Sequence, residues 1–284
     1  MRARYRSVFI SDVHLGSGGS RAAELAALLK RVECEHLYLV GDIIDMWRLR
    51  QRWYWPRKHN LVITRILKAA RKGAKVTFIP GNHDEHARQF IGLDFGGVQI
   101  EEKCVHTTAD GRKLLVTHGD QFDMIVLHYR LLSIMGGWAY DNLVTLNRTI
   151  NAIRRFLGRR EWSLSKSVKE RVKTATKFTA RFEQSIVSEA KRGGFTGVVC
   201  GHIHKAQDRD IDGVRYLNCG DWIEGGTMIV EHASGELELV DGLALLQRMR
   251  EASEHKRRSR HGSPPPAQSD ADTGTRRVLD SGLM

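Results

Sequence analysis

An amide, an imidazole and a carboxylate follow one another directly after a short apolar segment. The segment, residues 75–79, predicts a β-strand that turns at a Pro-Gly pair and then presents Asn82, His83 and Asp84. Such side chains bind metal ions and carry protons, so the cluster suits metal-assisted chemistry. Polar residues after a strand are more often simple turn formers. The other strand ends of the chain therefore decide the interpretation.

Four further apolar segments of strand length each end in residues that can bind a metal. Together with Asn82 they supply one candidate ligand set: Asp12 and His14 after residues 5–10, Asp42 after residues 36–40, His118 after residues 113–117, and His202 and His204 after residues 195–200. Functional residues of α/β sheets gather beyond the carboxyl ends of the strands. We therefore expect these side chains to converge.

Seven nitrogen and oxygen donors can hold two adjacent divalent ions when one carboxylate is shared. We assign the shared position to Asp42, because each of its oxygens can face a different ion and its charge offsets the repulsion between the ions. Two ions held roughly 3.5–4 Å apart lower the pKa of a water between them and so provide a nucleophile at neutral pH. We expect His83 to act as an acid, with Asp84 fixing its tautomer. For any single histidine, the alternative is an ordinary surface or core imidazole.

The segments between these clusters predict the scaffold. Residues 20–32 predict a helix with Ser20 as its N-cap, and residues 60–72 predict a second helix that ends at Gly73. Later strand segments pair as hairpins around two Asp-Gly pairs and one Ser-Gly pair. Early helices and late hairpins together predict an α/β fold of two packed sheets flanked by helices.

Residues 124–192 break this alternation and predict a helical insertion with a basic outer face. Its apolar residues recur at spacings of three and four: Leu164, Val168, Val172, Ala175, Phe178, Phe182 and Ile186. The insertion is either a docking surface or a lid over the site. Residues 251–284 lack periodicity and predict a disordered tail, which leaves residues 1–250 as one domain.

The formal net charge of +12 is concentrated in two segments. The insertion carries 14 Lys and Arg against five Asp and Glu, and residues 47–58 mix cations with four aromatic side chains. Such charge favours nucleic acid, anionic lipid or a phosphate-bearing substrate, although any single cation is equally well explained as a solvated surface charge. The candidate phosphate-binding residues are Arg48, Arg52, Lys166, Lys169 and Lys173.

Cysteine usage and hydropathy bear on the compartment. The four cysteines are widely spaced and contain no Cys-x-x-Cys pair, which favours core residues in a reduced compartment. The first residues lead almost directly into a predicted strand, so no signal peptide is expected. No apolar run reaches the roughly 18 residues that span a bilayer. We expect a cytosolic protein, or one bound only to a membrane surface, and leave its oligomeric state open.

The strand-end motifs resemble those of the calcineurin-like metallophosphoesterase superfamily. The matching motifs are Asp12-Val13-His14, Gly41-Asp42-Ile43-Ile44-Asp45, Gly81-Asn82-His83-Asp84, His118-Gly119-Asp120 and Gly201-His202-Ile203-His204. The resemblance implies an αββα four-layer sandwich and two metal sites that share Asp42. One site would add Asp12, His14 and His204, and the other Asn82, His118 and His202. His83 would assist phosphate binding or leaving-group departure. Manganese is the implied ion, with iron or zinc as alternatives.

Within that superfamily, the chain resembles the UDP-2,3-diacylglucosamine pyrophosphatase family in its size and in its basic insertion between His118 and His202. The resemblance implies cleavage of a nucleotide-sugar lipid to UMP and a lipid monophosphate in lipid A biosynthesis, by a peripheral protein on the inner face of the inner membrane. That family has Arg in place of His83. Two alternatives stay open: a phosphodiesterase acting on nucleic acid or a cyclic nucleotide, and a non-catalytic protein-binding module, which the filled ligand positions disfavour.

Overall fold

A computed structural model describes residues 2–122 and 164–260, with side chains described to residue 122 and from 178 to 255. These residues form eleven strands and five α-helices. In chain order they are β1 Ala3–Ile10, α1 Ala22–Leu29, β2 Val32–Val40, α2 Met46–Gln51, α3 Arg57–Arg71, β3 Lys75–Ile79, β4 Val98–Ile100, β5 Cys104–Thr107, β6 Lys113–Val116, α4 Leu164–Arg192, β7 Gly197–Cys200, β8 Gln207–Ile211, β9 Val214–Asn218, β10 Thr227–Glu231, β11 Leu237–Asp241 and α5 Gly242–Arg260. Short 3₁₀ helices lie at Glu85–Phe90 and Asp120–Phe122.

The first sheet has six strands in the order β11-β10-β1-β2-β3-β4, and β1 to β4 run parallel. Ile10 pairs with Leu39, and Val40 pairs with Ile79. The carboxyl ends of β1, β2 and β3 therefore lie at one edge, with their following loops side by side.

The second sheet has five strands in the order β5-β6-β7-β9-β8. Its central strands β6, β7 and β9 are parallel, with Val116 opposite Val199 and Cys200 opposite Asn218. Their carboxyl ends also lie at one edge, so this sheet contributes a second row of loops.

Successive side chains of a strand point to opposite faces of the sheet, and both faces of each sheet are apolar. Each sheet packs against the other sheet on one face and against helices on the other, which gives four layers. In β1, Val8 and Ile10 face the helical layer of α1, α3 and α5, whereas Phe9 faces the second sheet and stacks on Tyr38 at 4.6 Å. Helix α4 covers the outer face of the second sheet through residues that include Phe182. Burial of each large apolar side chain contributes about 1.5–3 kcal/mol. The predicted αββα sandwich is thus confirmed.

The first helix is shorter than predicted at both ends. The Ser20 hydroxyl does not cap it but donates to the Val13 carbonyl oxygen at 2.7 Å, and α1 begins at Ala22. At the other end, Val32 already belongs to β2, because pairing with β1 satisfies its backbone in place of another helical turn. The second predicted helix begins earlier, at Arg57 after a proline, and Gly73 ends it with φ of 96°.

The predicted insertion is helical in its second half, where α4 extends to Arg192. Residues such as Ile186 and Ala190 are fully buried against the second sheet, so this end of α4 is the crossover between the parallel strands β6 and β7. This end of α4 therefore belongs to the sandwich itself. Residues 123–163 lie outside the described residues, and both interpretations of the insertion, docking surface and lid, stay predictions.

The C-terminal helix corrects the predicted start of the tail. Helix α5 continues to Arg260, ten residues beyond the expected boundary, since residues 251–260 are rich in helix formers. Residues 261–284 lie outside the described part. None of the described helices combines the length and the apolar character needed to cross a membrane.

Candidate metal centre

The carboxyl edges of the two sheets bring the predicted ligands together. Across the sheets, His204 Nε2 lies 3.2 Å from Asp12 Oδ1, and His118 Nε2 lies 3.5 Å from Asp42 Oδ1. Among the described residues, three groups have ligand atoms within 4.8 Å of one another. Two consist of predicted ligands, Asp12 with His14 and His204, and Asp12 with Asp42 and His118, and the third is His14 with Asp45 and His83. His202 joins them through its backbone N–H, which donates to Asp12 Oδ2 at 3.0 Å.

Asp42 lies between two halves of this cluster, as a bridging ligand must. Its Oδ1 faces His118 at 3.5 Å, while its Oδ2 faces His14 Nε2 at 3.8 Å. On the His14 side, the Nε2 atoms of His14 and His204 are 3.3 Å apart. Two imidazole nitrogens aimed at the same space, with a carboxylate oxygen beside them, form the donor set of a divalent transition metal.

The tautomer of His118 suits a metal ligand. Its Nδ1–H donates to the Val40 carbonyl oxygen at 2.9 Å, which leaves Nε2 directed toward Asp42. Burial would lower the pKa of His118, but the negative charge of Asp42, whose Oδ1 lies 3.5 Å from Nε2, raises that pKa to about 10. The centre therefore attracts positive charge strongly.

Three buried polar atoms support the fit of a cation. Among the described residues, Asp12 Oδ1, Asn82 Oδ1 and His118 Nε2 are buried and have no hydrogen-bond partner. Each orphaned atom of this kind costs about 1–3 kcal/mol unless a ligand satisfies it. Burial would raise the pKa of Asp12, yet the His204 imidazole, whose Nε2 lies 3.2 Å from Oδ1, and the charge of His118 lower it, which favours the ionised carboxylate. The donor set fits divalent metal ions.

The backbone of the centre is held in an unfavourable conformation. Five of the predicted ligand residues have left-handed backbone angles, with φ between 50° and 71°: Asp12, His14, Asp42, His202 and His204. Each such non-glycine residue costs on the order of 1–3 kcal/mol and persists only where the surrounding structure enforces it. Hydrogen bonds between the loops do so here: the Asp12 N–H donates to the Gly41 carbonyl at 3.0 Å and the His14 N–H to the Asp42 carbonyl at 2.9 Å.

Gly81 allows the Asn82 loop to approach the other ligands. A Cβ atom at this position would lie 2.3 Å from Asp42 Oδ1 and 2.6 Å from His118 Nε2. Any side chain would therefore displace the Asp42 carboxylate or the His118 imidazole. The glycine of the predicted Pro-Gly turn is therefore needed because no larger residue fits between Asp42 and His118.

His83 lies beside the centre and is oriented by Asp45. Its Nδ1 is 3.0 Å from Asp45 Oδ1, its backbone N–H donates to Asp42 Oδ1 at 2.8 Å, and the Trp47 ring packs against it with centroids 4.1 Å apart. Burial would lower the pKa of His83, but the hydrogen bond to Asp45 and the charge of Asp42 raise it. This favours the protonated imidazole expected of an acid.

Asp84 does not orient His83, which corrects the pairing expected from sequence. Its fully buried carboxylate accepts backbone N–H groups from Gly81 at 2.6 Å, Asp42 at 3.3 Å, Ile43 at 2.8 Å and Ile44 at 3.2 Å. The side chain thus ties the Asn82 loop to the Asp42 loop. Burial and the negative charge of Asp42 raise the pKa of Asp84 to about 6. Its role is to hold the loops together.

Two carboxylates were missing from the predicted site. Asp45 contacts both His83 and His14, whose Nδ1 lies 3.5 Å from Asp45 Oδ2, and Asp221 Oδ2 lies 3.8 Å from His204 Nδ1. Asp45 stands three residues after Asp42 in the same motif. Asp221 follows the end of β9, as other site residues follow their strands, so the strand-end pattern could have identified both.

The predicted phosphate-binding cations differ in position. Arg48 is 68% exposed and its Nε lies 3.5 Å from Asp45 Oδ2, which places its charge beside the centre. Arg52 is exposed just after the end of α2, one turn further along the chain. The side chains of Lys166, Lys169 and Lys173 lie outside the described residues.

The chain is similar to known phosphoesterases and hydrolases. The sequence model of the calcineurin-like phosphoesterase family matches residues 5–206. A UDP-2,3-diacylglucosamine hydrolase of a Shewanella species is 24% identical over 240 residues, 81% of this chain and 95% of that protein. A UDP-2,3-diacylglucosamine hydrolase of Blochmanniella pennsylvanica is 29% identical over 120 residues, which are 40% of this chain and 46% of that protein. This match therefore spans less than half of that relative. A solved E. coli phosphoesterase is 14% identical, with a TM-score of 0.37 over 83% of this chain and 98% of that one.

Proposed function

Because this chain belongs to the calcineurin-like phosphoesterase family and is a metal-dependent phosphoesterase, we propose that its substrate is UDP-2,3-diacylglucosamine or a related nucleotide-sugar lipid. The reaction would cleave the pyrophosphate to give UMP and a lipid monophosphate. The observation that carries this proposal is the similarity to the Shewanella hydrolase, which runs through 81% of the chain and so includes most of the metal-site loops.

The proposed metal sites share Asp42. One would use Asp12, His14 and His204, and the other Asn82, His118 and His202; manganese is the proposed ion. When bound, the two ions would supply a water of lowered pKa and neutralise the charge on the phosphate oxygens. The orphaned atoms of Asp12, Asn82 and His118 are the contacts that support this assignment.

The chain's own residues position the phosphate and manage the leaving group. In the reaction, the oxygen of water bonds to one phosphorus atom and the bridging P–O bond breaks. His83, held by Asp45, which together with Asp42 raises its pKa and so favours the protonated imidazole, would donate a proton or a hydrogen bond to the departing phosphate oxygen. Arg48 would hold the substrate's negative charge at the rim of the site.

We further propose a peripheral position at the cytoplasmic face of the inner membrane, through residues 47–58. Trp53 is 74% exposed and Tyr54 40% exposed, and arginine residues of α2 lie close to them in the chain. Exposed tryptophan and tyrosine with neighbouring cations suit the interface of an anionic bilayer. Such a position would bring the metal centre to a lipid-linked substrate.

The direct test is hydrolysis of UDP-2,3-diacylglucosamine by the manganese-loaded protein, followed as UMP release by mass spectrometry. We expect UMP from the parent, none from Asp42→Asn, and unchanged release from the control Asp208→Asn on the outer strand β8. Bis(p-nitrophenyl) phosphate serves as a generic diester. If that diester is cleaved and the nucleotide-sugar lipid is not, the phosphoesterase assignment stands and the proposed substrate is wrong.

Nucleic acid or a cyclic nucleotide is the second candidate, because Trp53 stacks against Trp55 at 6.3 Å beside several arginines. Exposed aromatic rings with cations bind single strands by stacking and backbone contact. A steep salt dependence of oligonucleotide binding, lost in Trp53→Ala, would favour this function over the lipid substrate.

A further inference from the structure

An apolar cavity of about 500 Å³ lies between α3, the strands β3 and β4, and the 3₁₀ helix Glu85–Phe90. His86 and Gln89 are the polar residues among the fifteen that line it, and no Asp, Glu, Lys or Arg is among these described lining residues. The side chains that define its wall and rim include Ile44, Met46, Leu67, Phe78, Phe90 and Phe95. Its volume is within the range of about 300–1,000 Å³ that small-molecule pockets occupy.

Helix α2 connects this cavity to the metal centre. The Met46 N–H donates to the His83 carbonyl oxygen at 3.1 Å, while the Met46 side chain lines the cavity. One residue later, Trp47 packs on the His83 ring. At the next turn, Arg50 Nη1 lies 3.2 Å from Nε2 of His86, which also lines the cavity. The helix thus contacts both the acid of the reaction and the cavity wall.

The cavity opens through an exposed apolar rim. Phe90 is 39% and Phe95 50% exposed, with their rings edge to face at 5.5 Å, and the neighbouring Ile91 and Leu93 are 40% and 52% exposed. A contiguous exposed apolar patch of this kind usually marks a binding surface. A peptide occupant would bury backbone N–H and C=O groups against walls that offer few partners, which is costly. A hydrocarbon chain has no such groups.

We propose that the cavity binds an alkyl chain of the substrate while the phosphoester lies at the metal centre. The inference rests on the proposed function, since it requires a lipid-linked phosphoester, and it identifies the part of the protein that recognises the lipid. The chain would enter past the rim phenylalanines and lie along α3 against Leu67, with α2 separating it from the phosphate.

The test compares butyl and octyl p-nitrophenyl phosphate diesters as substrates of the metal-loaded protein, below the octyl ester's micelle concentration. Full burial of each methylene is worth about a fourfold gain in affinity, so the four additional methylenes of the octyl ester allow a gain of up to about 200-fold. We expect the KM for the octyl ester to be lower than that for the butyl ester by at least about tenfold.

Leu67→Trp, which fills the cavity, should abolish the octyl preference and leave the KM for the butyl ester unchanged. Phe95→Ser at the exposed rim should reduce the preference severalfold. Val105→Trp, at a 50% exposed apolar residue on β5, is the matched control and should keep it.

Equal KM values for the two esters in the parent would overturn the inference and leave the phosphoesterase function intact. An octyl preference that survives in both Leu67→Trp and Phe95→Ser would place the chain elsewhere and would also overturn it. A concentration-dependent dimer in sedimentation, dissociated by Leu67→Trp while the octyl preference persists, would show that a second copy of the chain occupies the cavity. Failure of the parent to cleave any diester would refute the proposed function itself.

Discussion

Replacing Asp45 with Asn should reduce activity without unfolding the protein. Asp45 Oδ1 accepts from His83 Nδ1 and from the Arg48 N–H, both at 3.0 Å, and Oδ2 lies 3.5 Å from His14 Nδ1. An asparagine oxygen can keep the first two contacts. The asparagine NH₂ group, however, would face the His14 Nδ1–H, so that a donor meets a donor and His14 loses the group that orients it.

The magnitude follows from which contact is lost. Loss of a group that orients a metal ligand typically reduces metal affinity or activity by about 10–100-fold, which corresponds to about 1.4–2.8 kcal/mol. The helix cap to Arg48 is retained, so the free energy of unfolding should change by less than about 1 kcal/mol. Because Asp45 also raises the pKa of His83, that pKa should fall in Asp45→Asn. Activity that needs protonated His83 should then decline at a lower pH than in the parent.

The assay measures kcat for bis(p-nitrophenyl) phosphate from pH 6 to 10 and manganese affinity by calorimetry. The matched control is Asp241→Asn, because Asp241 also caps a helix by accepting the Leu243 and Ala244 N–H groups, yet it lies at the start of α5 and away from the metal centre. If Asp45→Asn matches this control in kcat, in pH profile and in metal affinity, the assigned role of Asp45 is wrong.

Three further perturbations test other parts of the molecule. Gly81→Ala should abolish metal binding because the added Cβ would clash with Asp42 and His118. The control Gly18→Ala, with no atom within 4 Å of the added Cβ, should bind metal as the parent does. Calorimetric titration of the two variants with manganese compares their metal affinities. Burial would raise the pKa of Glu231, but hydrogen bonds from His106 and from a serine lower it from 4.5 to about 2. The ionised carboxylate therefore contributes about 3 kcal/mol to the free energy of unfolding above pH 4.5, and this contribution is lost as the pH falls toward 2. In urea unfolding measured across this pH range, Glu231→Gln should lack the loss of stability in acid. If the variant shows the same pH dependence as the parent, Glu231 is not its cause. Chelation should lower the melting temperature, since metal at 100 times its Kd adds about 2.7 kcal/mol, and a melting temperature indifferent to EDTA would mean that no stabilising metal was bound.

The convergence of the candidate ligands could be predicted from the sequence because each of them follows an apolar strand in the chain. Parallel pairing, such as Val40 with Ile79, then places the strand ends at the same edge. The rule that sites gather at this edge needs only the strand pattern, which local composition encodes. That Asp12, Asp42 and His118 lie together was therefore predictable from local sequence.

Side-chain partners were harder to predict because they depend on tertiary geometry. Asp84 is adjacent to His83 in sequence, yet the turn directs its carboxylate to four backbone N–H groups. Asp45, 38 residues away, reaches the imidazole instead. The end of α1 likewise depended on contacts with another element, because Val32 pairs with β1 as part of a strand.

The most direct test of the central claim is the metal stoichiometry of the purified protein and of Asp42→Asn, measured by elemental analysis after equilibration with manganese. Asp42 is buried, faces His118 with one oxygen and faces His14 with the other. We expect two ions per chain in the parent and a loss of tightly bound metal at both positions in the variant. One ion or none in the parent, or two ions retained by Asp42→Asn, would contradict a dinuclear centre bridged by this carboxylate.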